Sequence, residues 1–128
     1  MDLKKYFTEQ EGVGVLSTAN SKGKVNSAIF ARPNIDEQGN IIFVVAKHRS
    51  LENLQENPSA SYLFSENGPG YQGVRLDLKL TSIVTDNEKI DQFRKENSGK
   101  LYERYKNVDS VLAMFAVEQK RPLIGSGK

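Results

Sequence analysis

The residues best suited to bind a charged small molecule lie in one short segment, Lys47-His48-Arg49-Ser50. It follows the apolar run Ile41–Ala46, which is typical of a buried strand, and leads into Ser50–Glu56, which predicts a short helix with Ser50 as N-cap. A helix N-terminus offers unpaired backbone N–H groups and the positive end of the helix dipole. Together with the Arg49 guanidinium, the Lys47 ammonium and the Ser50 hydroxyl, this arrangement suits a phosphate dianion. The residues alone leave open that Ser50 only caps the helix and that both cations are solvated.

Other chemistries find little support in the sequence. There is no cysteine, so thiol catalysis, disulfides and iron–sulfur clusters are excluded. The single histidine, His48, has no carboxylate cluster near it in the sequence, which argues against a catalytic metal, and we interpret it as a phosphate-edge or surface residue. A Ser–His–Asp arrangement is also missing.

Charge and hydropathy exclude two classes of partner. The net charge is only +2, and the basic groups Lys22–Lys24, Lys47–Arg49 and Lys120–Arg121 are short and scattered, so we expect no nucleic-acid binding. No apolar stretch approaches the roughly 18 residues of a membrane span. The first ten residues carry charges instead of the apolar centre of a signal peptide, so we expect a cytoplasmic protein without membrane contact.

Periodicity and turn chemistry predict one mainly β domain over residues 1–128. Residues 74–81 show the clearest alternation, with Val74, Leu76, Leu78 and Leu80 on one side of a long strand. The other predicted strands are Val13–Ala19, Val25–Arg32, Ile41–Ala46, Ser61–Ser65 and Val111–Val117. Predicted helices cover residues 2–11, 50–56, about 86–97 with Thr85 and Glu88 as a capping box, and 100–106, and Lys120–Lys128 is predicted to be a polar tail. Six strands with hairpin-length turns indicate an antiparallel barrel with α inserts.

The phosphate segment also carries a resemblance to a known family. Residues 47–58, ending in Glu56-Asn57-Pro58, and the following Ser61-Tyr62-Leu63-Phe64 resemble the FMN-phosphate segment of the pyridoxamine 5′-phosphate oxidase-like proteins. The loop Asn67-Gly68-Pro69-Gly70 is similar to that of the small FMN-binding proteins of this superfamily. The resemblance covers nearly the whole chain and implies a six-stranded antiparallel Greek-key split barrel with short flanking helices.

The resemblance implies a set of cofactor-binding residues. Arg49 and Ser50 would bind the FMN phosphate with Lys47 beside them, although the oxidases often carry a lysine where this chain has Ser50. The strand residues implied to lie along or beneath the isoalloxazine are Asn26, Ser27, Ala28, Val45 and Ala46. Gln72 and Gly73 match residues that reach the flavin from the partner subunit. Small apolar and hydrogen-bonding side chains of this kind suit a flat ring with one polar edge.

The function implied is that of an FMN-dependent oxidoreductase or electron-transfer protein. The resemblance implies a homodimer with FMN between the subunits, passing electrons or a hydride to a small molecule or a protein acceptor. The Arg-x-His substrate element of the true oxidases is missing near the C-terminus, so we expect a different substrate. We also expect Tyr71 near the ligand, and the tail with Arg121 and Leu123 across the partner's flavin. The alternative is a module on the same barrel that binds haem or a protein partner.

Overall fold

The fold is a curled antiparallel sheet flanked by short helices. In this computed structural model, which describes residues 2–125, seven strands follow the order β2-β1-β5-β6-β7-β4-β3. The elements are α1 Leu3–Glu9, β1 Gly12–Ala19, β2 Val25–Phe30, β3 Asn34–Ile35, β4 Ile41–Ala46, α2 Arg49–Glu56, β5 Ser59–Glu66, β6 Gly73–Val84, α3 Asn87–Asn97, α4 Leu101–Tyr105 and β7 Ser110–Pro122. The predicted mainly β split barrel is confirmed. The additional strand is β3, which pairs only two residues with β4 after Pro33.

The concave side of the sheet holds the core. Alternation along β1, β5 and β6 sends every second side chain inward, and the largest fully buried ones are Tyr62, Phe64 and Phe115. Phe7 of α1 closes one end through edge-to-face contacts with the rings of Tyr62 and Phe64. In β6 the predicted inward residues Val74, Leu76 and Leu78 are all buried, whereas Leu80 is half-buried.

Helix α2 bridges the two ends of the sheet. It contacts β1 and β2 on one side and β4 on the other. Leu51 and Leu54 enter the core, and the buried Asn53 amide donates a hydrogen bond to the Thr18 hydroxyl at 3.1 Å. This bridge brings the N-terminus of α2 next to β2, where the predicted phosphate and ring residues can meet.

Several predicted helix boundaries were wrong by one or two residues, including both ends of α4, which spans Leu101–Tyr105 instead of 100–106. His48, not Ser50, is the N-cap of α2, because Ser50 turns its side chain beneath the helix and is buried. Helix α3 begins after Asp86, whose carboxylate accepts the backbone N–H groups of Glu88 and Lys89, so Thr85 does not cap it. Helix α1 ends at Glu9, two residues before the predicted end.

The C-terminal region differs from the predicted polar tail. Strand β7 continues through Lys120 and Arg121 to Pro122, because these residues pair with the first part of β6. This pairing is long-range and leaves no signal in the local composition. Predicted tail residues 126–128 lie outside the described part of the chain. Within residues 2–125, no helix combines the length and apolar character needed to cross a bilayer.

Candidate functional site

The N-terminus of α2 forms an exposed, positively charged corner. Strand β4 ends at Ala46, and the His48 N-cap makes no side-chain hydrogen bond to the first turn. The Arg49 side chain is exposed and has no hydrogen bond or ion pair within residues 2–125. The backbone N–H groups of the first turn and one arginine are therefore available to an anion at the same place.

The predicted neighbours of Arg49 are used differently. Ser50 is buried beside β2, where the Asn26 amide nitrogen donates to its hydroxyl oxygen at 3.4 Å. Lys47 forms an ion pair with Asp109 at 3.1 Å, and both side chains are largely exposed. Asp109 partly neutralises Lys47, so Arg49 is the main free cation of the corner.

Strand β2 runs from this corner towards a cavity. Asn26, Ala28 and Phe30 alternate with the more exposed residues of the strand and point to the inner side, as their cross-strand partners Leu16 and Thr18 do. Four residues of strand span about 13 Å between Asn26 and Phe30. Ser27 faces the opposite side, where its hydroxyl lies 2.9 Å from that of Ser17. Ser27 is therefore not on the same face as its two predicted neighbours.

The two predicted residues of β4 also face opposite ways. Val45 is completely buried in the core, so only its backbone is near the corner. Ala46 faces outward and is only partly buried. The composition does not reveal these opposite directions because both sides of β4 are apolar, and contact of Val45 and Ala46 with the ring stays a prediction.

Ala46 opens onto a cavity of about 490 Å³, here called the β4 cavity. It lies between the outer face of β4, the end of β2 and the segment from the end of α3 to Ser110. Its apolar lining includes Phe30, Ile42, Val44, Leu101, Tyr105 and Val108. Ala46 is also the last residue before the corner segment 47–50, so one end of the cavity lies next to the corner in the chain.

Tyr62 fixes one wall of this cavity. Its hydroxyl lies 3.2 Å from the carbonyl oxygens of both Phe30 and Ala31, and it donates to this pair at the end of β2. Burial raises the pKa of Tyr62, and the nearby Arg32 opposes that effect only in part. Tyr62 is a fully buried core aromatic, and its contact with the end of β2 has no signal in the sequence.

Gln72 and Gly73 do not join the corner within one chain. Gly73 pairs with Ser65 on β5, and Ser65 pairs with Val13 on β1. Asn26 pairs with Thr18, which is five residues further along β1. Five residues of strand correspond to about 16 Å, and two further strands lie between β6 and β2. The neighbouring Tyr71 has a positive φ of 49° and is 76% exposed, so it projects from the glycine-rich loop without contacting the corner.

The end of the described chain lies against this same loop. The Arg75 guanidinium donates to the Pro122 carbonyl at 2.9 Å, and Arg121 pairs with Asp77 at 2.8 Å. A Cβ atom built on Gly73 would lie 3.2 Å from the Leu123 side chain. Within one chain, Arg121 and Leu123 therefore contact their own β6 and not the corner.

Comparison with known proteins identifies the family. The sequence profile of the family described as pyridoxamine 5′-phosphate oxidase matches residues 2–123. No curated protein matches the chain at a significant level. An FMN-binding protein from Syntrophomonas wolfei subsp. wolfei is 17% identical, with 98% of this chain and 86% of that chain covered and a TM-score of 0.77.

Two further solved structures share the fold. HupZ of Group A Streptococcus is 15% identical over 98% of this chain and 94% of its own, with a TM-score of 0.74. The haem storage protein HutZ from Vibrio cholerae is 19% identical over 93% of this chain and 92% of its own, with a TM-score of 0.71. At such identities the likeness to these structures is one of fold. With nearly its whole length matched by the family profile, the chain belongs to the pyridoxamine 5′-phosphate oxidase family.

Proposed function

We propose that this protein binds FMN and passes electrons or a hydride to a small-molecule or protein acceptor. The observation that carries the proposal is the first turn of α2, which has no side-chain cap and stands beside the unpaired Arg49. An anion at this place would complete the hydrogen bonding of the turn and pair with the guanidinium. The similar protein from Syntrophomonas wolfei, described as FMN-binding, supports the choice of anion.

The residues beyond the corner fit the remainder of FMN. Ala28 on β2 and Ala46 on β4 are small and only partly buried; Ala28 is two residues from Asn26, and Ala46 lines the β4 cavity. A flat ring needs such small neighbours, and the Asn26 amide adds a hydrogen-bonding group at the phosphate end. FMN would supply the redox chemistry, while the chain would bind it, orient it and limit access of water.

The proposal includes a homodimer in which each subunit completes the site of the other. Gln72 and Gly73 are about 16 Å along the strands from the level of Asn26, and two strands separate β6 from β2, so the proposal assigns their contact with the flavin to a second chain. The outer face of the sheet offers a surface for that chain, since Val25 and Ile29 both point outward from β2 and are 72% and 74% exposed. Exposed apolar faces of this kind usually mark interfaces.

The visible spectrum of the purified protein tests the cofactor. We expect the purified protein to show flavin absorption or to bind added FMN. Quenching of flavin fluorescence is the titration signal. A Soret band would instead favour haem, for which the exposed His48 at the N-cap of α2 is the available ligand within residues 2–125. A colourless protein that ignores both would leave a protein-binding module and contradict the proposal.

Replacing Arg49 tests the phosphate site directly. Arg49→Ala should weaken FMN binding by about 1.5–3 kcal/mol, the range for a hydrogen bond to a charged group. Because Arg49 is exposed and unpaired, folding should not change. Lys89→Ala, which removes a cation from the exposed face of α3, is the matched control and should leave the affinity unchanged. Equal FMN affinity of the wild-type and Arg49→Ala proteins would remove Arg49 from the site.

A further inference from the structure

The charges around the β4 cavity are all of one sign. Its lining includes two arginines, Arg32 and Arg94, and no aspartate or glutamate. Three other cavities within residues 2–125 each include at least two carboxylates, such as Asp36 and Glu96 in the one between α1 and α3. The β4 cavity therefore has a positive potential that the other cavities lack.

Arg94 contributes a buried charge to the cavity wall. It is only 6% exposed, and its guanidinium donates to the carbonyl oxygens of Lys106 at 3.3 Å and Val108 at 2.9 Å and to the Ser110 hydroxyl at 2.6 Å. All three acceptors are uncharged. A buried guanidinium remains ionised, and Arg94 interacts with Asp91 one turn earlier, where it contributes to lowering the pKa of that carboxyl. An anion in the cavity would add a further opposite charge close to Arg94.

The carboxylate one turn before Arg94 is already engaged by other groups. Asp91 accepts the Tyr102 hydroxyl at 2.6 Å and forms an ion pair with Lys95 at 3.2 Å. No carboxylate within residues 2–125 forms an ion pair with Arg94. The positive charge of Arg94 is thus not balanced by a direct carboxylate contact inside the described protein.

Arg32 places a second charge at the cavity, and apolar groups make up much of the rest. Arg32 is exposed and donates one hydrogen bond to the Gln10 carbonyl. Phe30 and Ile42 line the space near it, with Leu101 and Tyr105 on the side of α4. A ligand that satisfies both features has an apolar body and a negative group.

We propose that the β4 cavity selects a small organic anion, such as a carboxylate on an aromatic or other apolar body, as the second reactant beside FMN. This inference rests on the proposed function for the role of the ligand, since Ala46, which precedes the corner proposed to bind FMN, also lines the cavity. The preference for an anion follows from Arg32 and Arg94 themselves and can be measured with or without FMN.

Benzoate and benzamide form a matched pair of probes, because they share ring and size and differ in charge. We expect benzoate to bind the wild-type protein about ten-fold more tightly, with NMR shift changes at the amides of Val44 and Ala46. Arg32→Gln should reduce this preference about three-fold, and Lys89→Gln should not. Arg94 also holds the segment before β7, so its variants must first be shown to be folded. Arg94→Lys, which keeps the charge, is then compared with Arg94→Gln, which removes it.

Two results would overturn the inference. One is equal binding of benzoate and benzamide, and the other is a benzoate preference that Arg32→Gln leaves intact while the shifts lie outside the cavity. FMN affinity is measured on the same samples. If the wild-type protein does not bind FMN but keeps the benzoate preference in the cavity, only the proposed function is refuted. If it binds FMN normally but shows no such preference, only this inference is refuted.

Discussion

At the scale of single residues, the buried hydroxyl of Tyr62 has a role that its aromatic ring does not share. The ring packs against Phe7 and Phe43, while the hydroxyl lies against the carbonyl oxygens at the end of β2. The two carbonyl groups belong to Phe30 and Ala31, both of which line the β4 cavity. One side chain thus stabilises the core and fixes the cavity wall.

Tyr62→Phe keeps the ring and removes the hydrogen bond. We expect the free energy of unfolding to fall by about 1–3 kcal/mol, because carbonyl oxygens lose their donor in a place that water reaches poorly. Tyr102→Phe, whose hydroxyl contacts Asp91 near the surface, should cost less because water replaces it. Urea denaturation at neutral pH measures both. A larger loss in Tyr102→Phe than in Tyr62→Phe would contradict this interpretation.

At the scale of helices and strands, the start of α3 distinguishes two possible caps. Thr85 and Glu88 have the spacing of a capping box, but the Asp86 carboxylate lies 2.9 Å from the Glu88 nitrogen and 3.1 Å from the Lys89 nitrogen. Asp86→Ala should therefore lower the free energy of unfolding by about 0.5–2 kcal/mol. Thr85→Ala should have little effect, as measured by urea denaturation. A larger loss of stability in Thr85→Ala than in Asp86→Ala would instead support the capping box of Thr85 and Glu88.

Helix α2 is attached at its C-terminal end by an acidic residue. Hydrogen bonds from the Ser21 backbone N–H at 3.1 Å and the Ser21 hydroxyl at 2.7 Å hold the pKa of Glu56 below its usual value of 4.5. A carboxyl whose pKa is lowered by folding stabilises the protein above its unfolded pKa and loses this contribution as the pH falls through the folded value. Stability should therefore decline as the pH falls below about 4.5.

Glu56→Gln removes this titration while it keeps an oxygen for Ser21. We expect the variant to lose less stability than the wild type between neutral pH and the acid range, as measured by urea denaturation at a series of pH values. Glu9→Gln, at a carboxylate without a hydrogen bond in the described chain, is the control and should follow the wild type. Identical pH profiles of the wild type and Glu56→Gln would show that the contact with Ser21 does not contribute.

Local patterns predicted the elements better than the directions of their side chains. Ile41–Ala46 was predicted to its ends because its residues form a continuous apolar run, but the run could not show that Val45 points into the core and Ala46 towards a cavity. The last part of β7 was missed because Lys120 and Arg121 become strand residues only through pairing with β6. Burial of Arg94 has the same kind of origin, since carbonyl groups distant in sequence make it possible.

At the scale of the whole molecule, the convex side of the sheet carries apolar side chains that are exposed to solvent in a single chain. One row across β2, β1 and β5 consists of Ile29, Val15 and Leu63, which lie directly opposite one another. Ile29 and Leu63 are both exposed. Arg75 and Asp77 border this row on β6. An apolar row with a polar edge is typical of a surface that packs against another sheet.

Ile29→Lys tests whether this face joins two copies of the chain. In a single chain Ile29 is 74% exposed, so the substitution should leave folding intact. We expect the wild type to have twice the mass of one chain in light scattering and the variant to shift towards one chain. Because Gln72 and Gly73 would then be withdrawn from the partner's site, FMN affinity should fall with the dimer fraction. Leu101→Lys, at an exposed apolar residue on α4, should keep the wild-type mass, and a variant at Ile29 that remains dimeric would place the interface elsewhere.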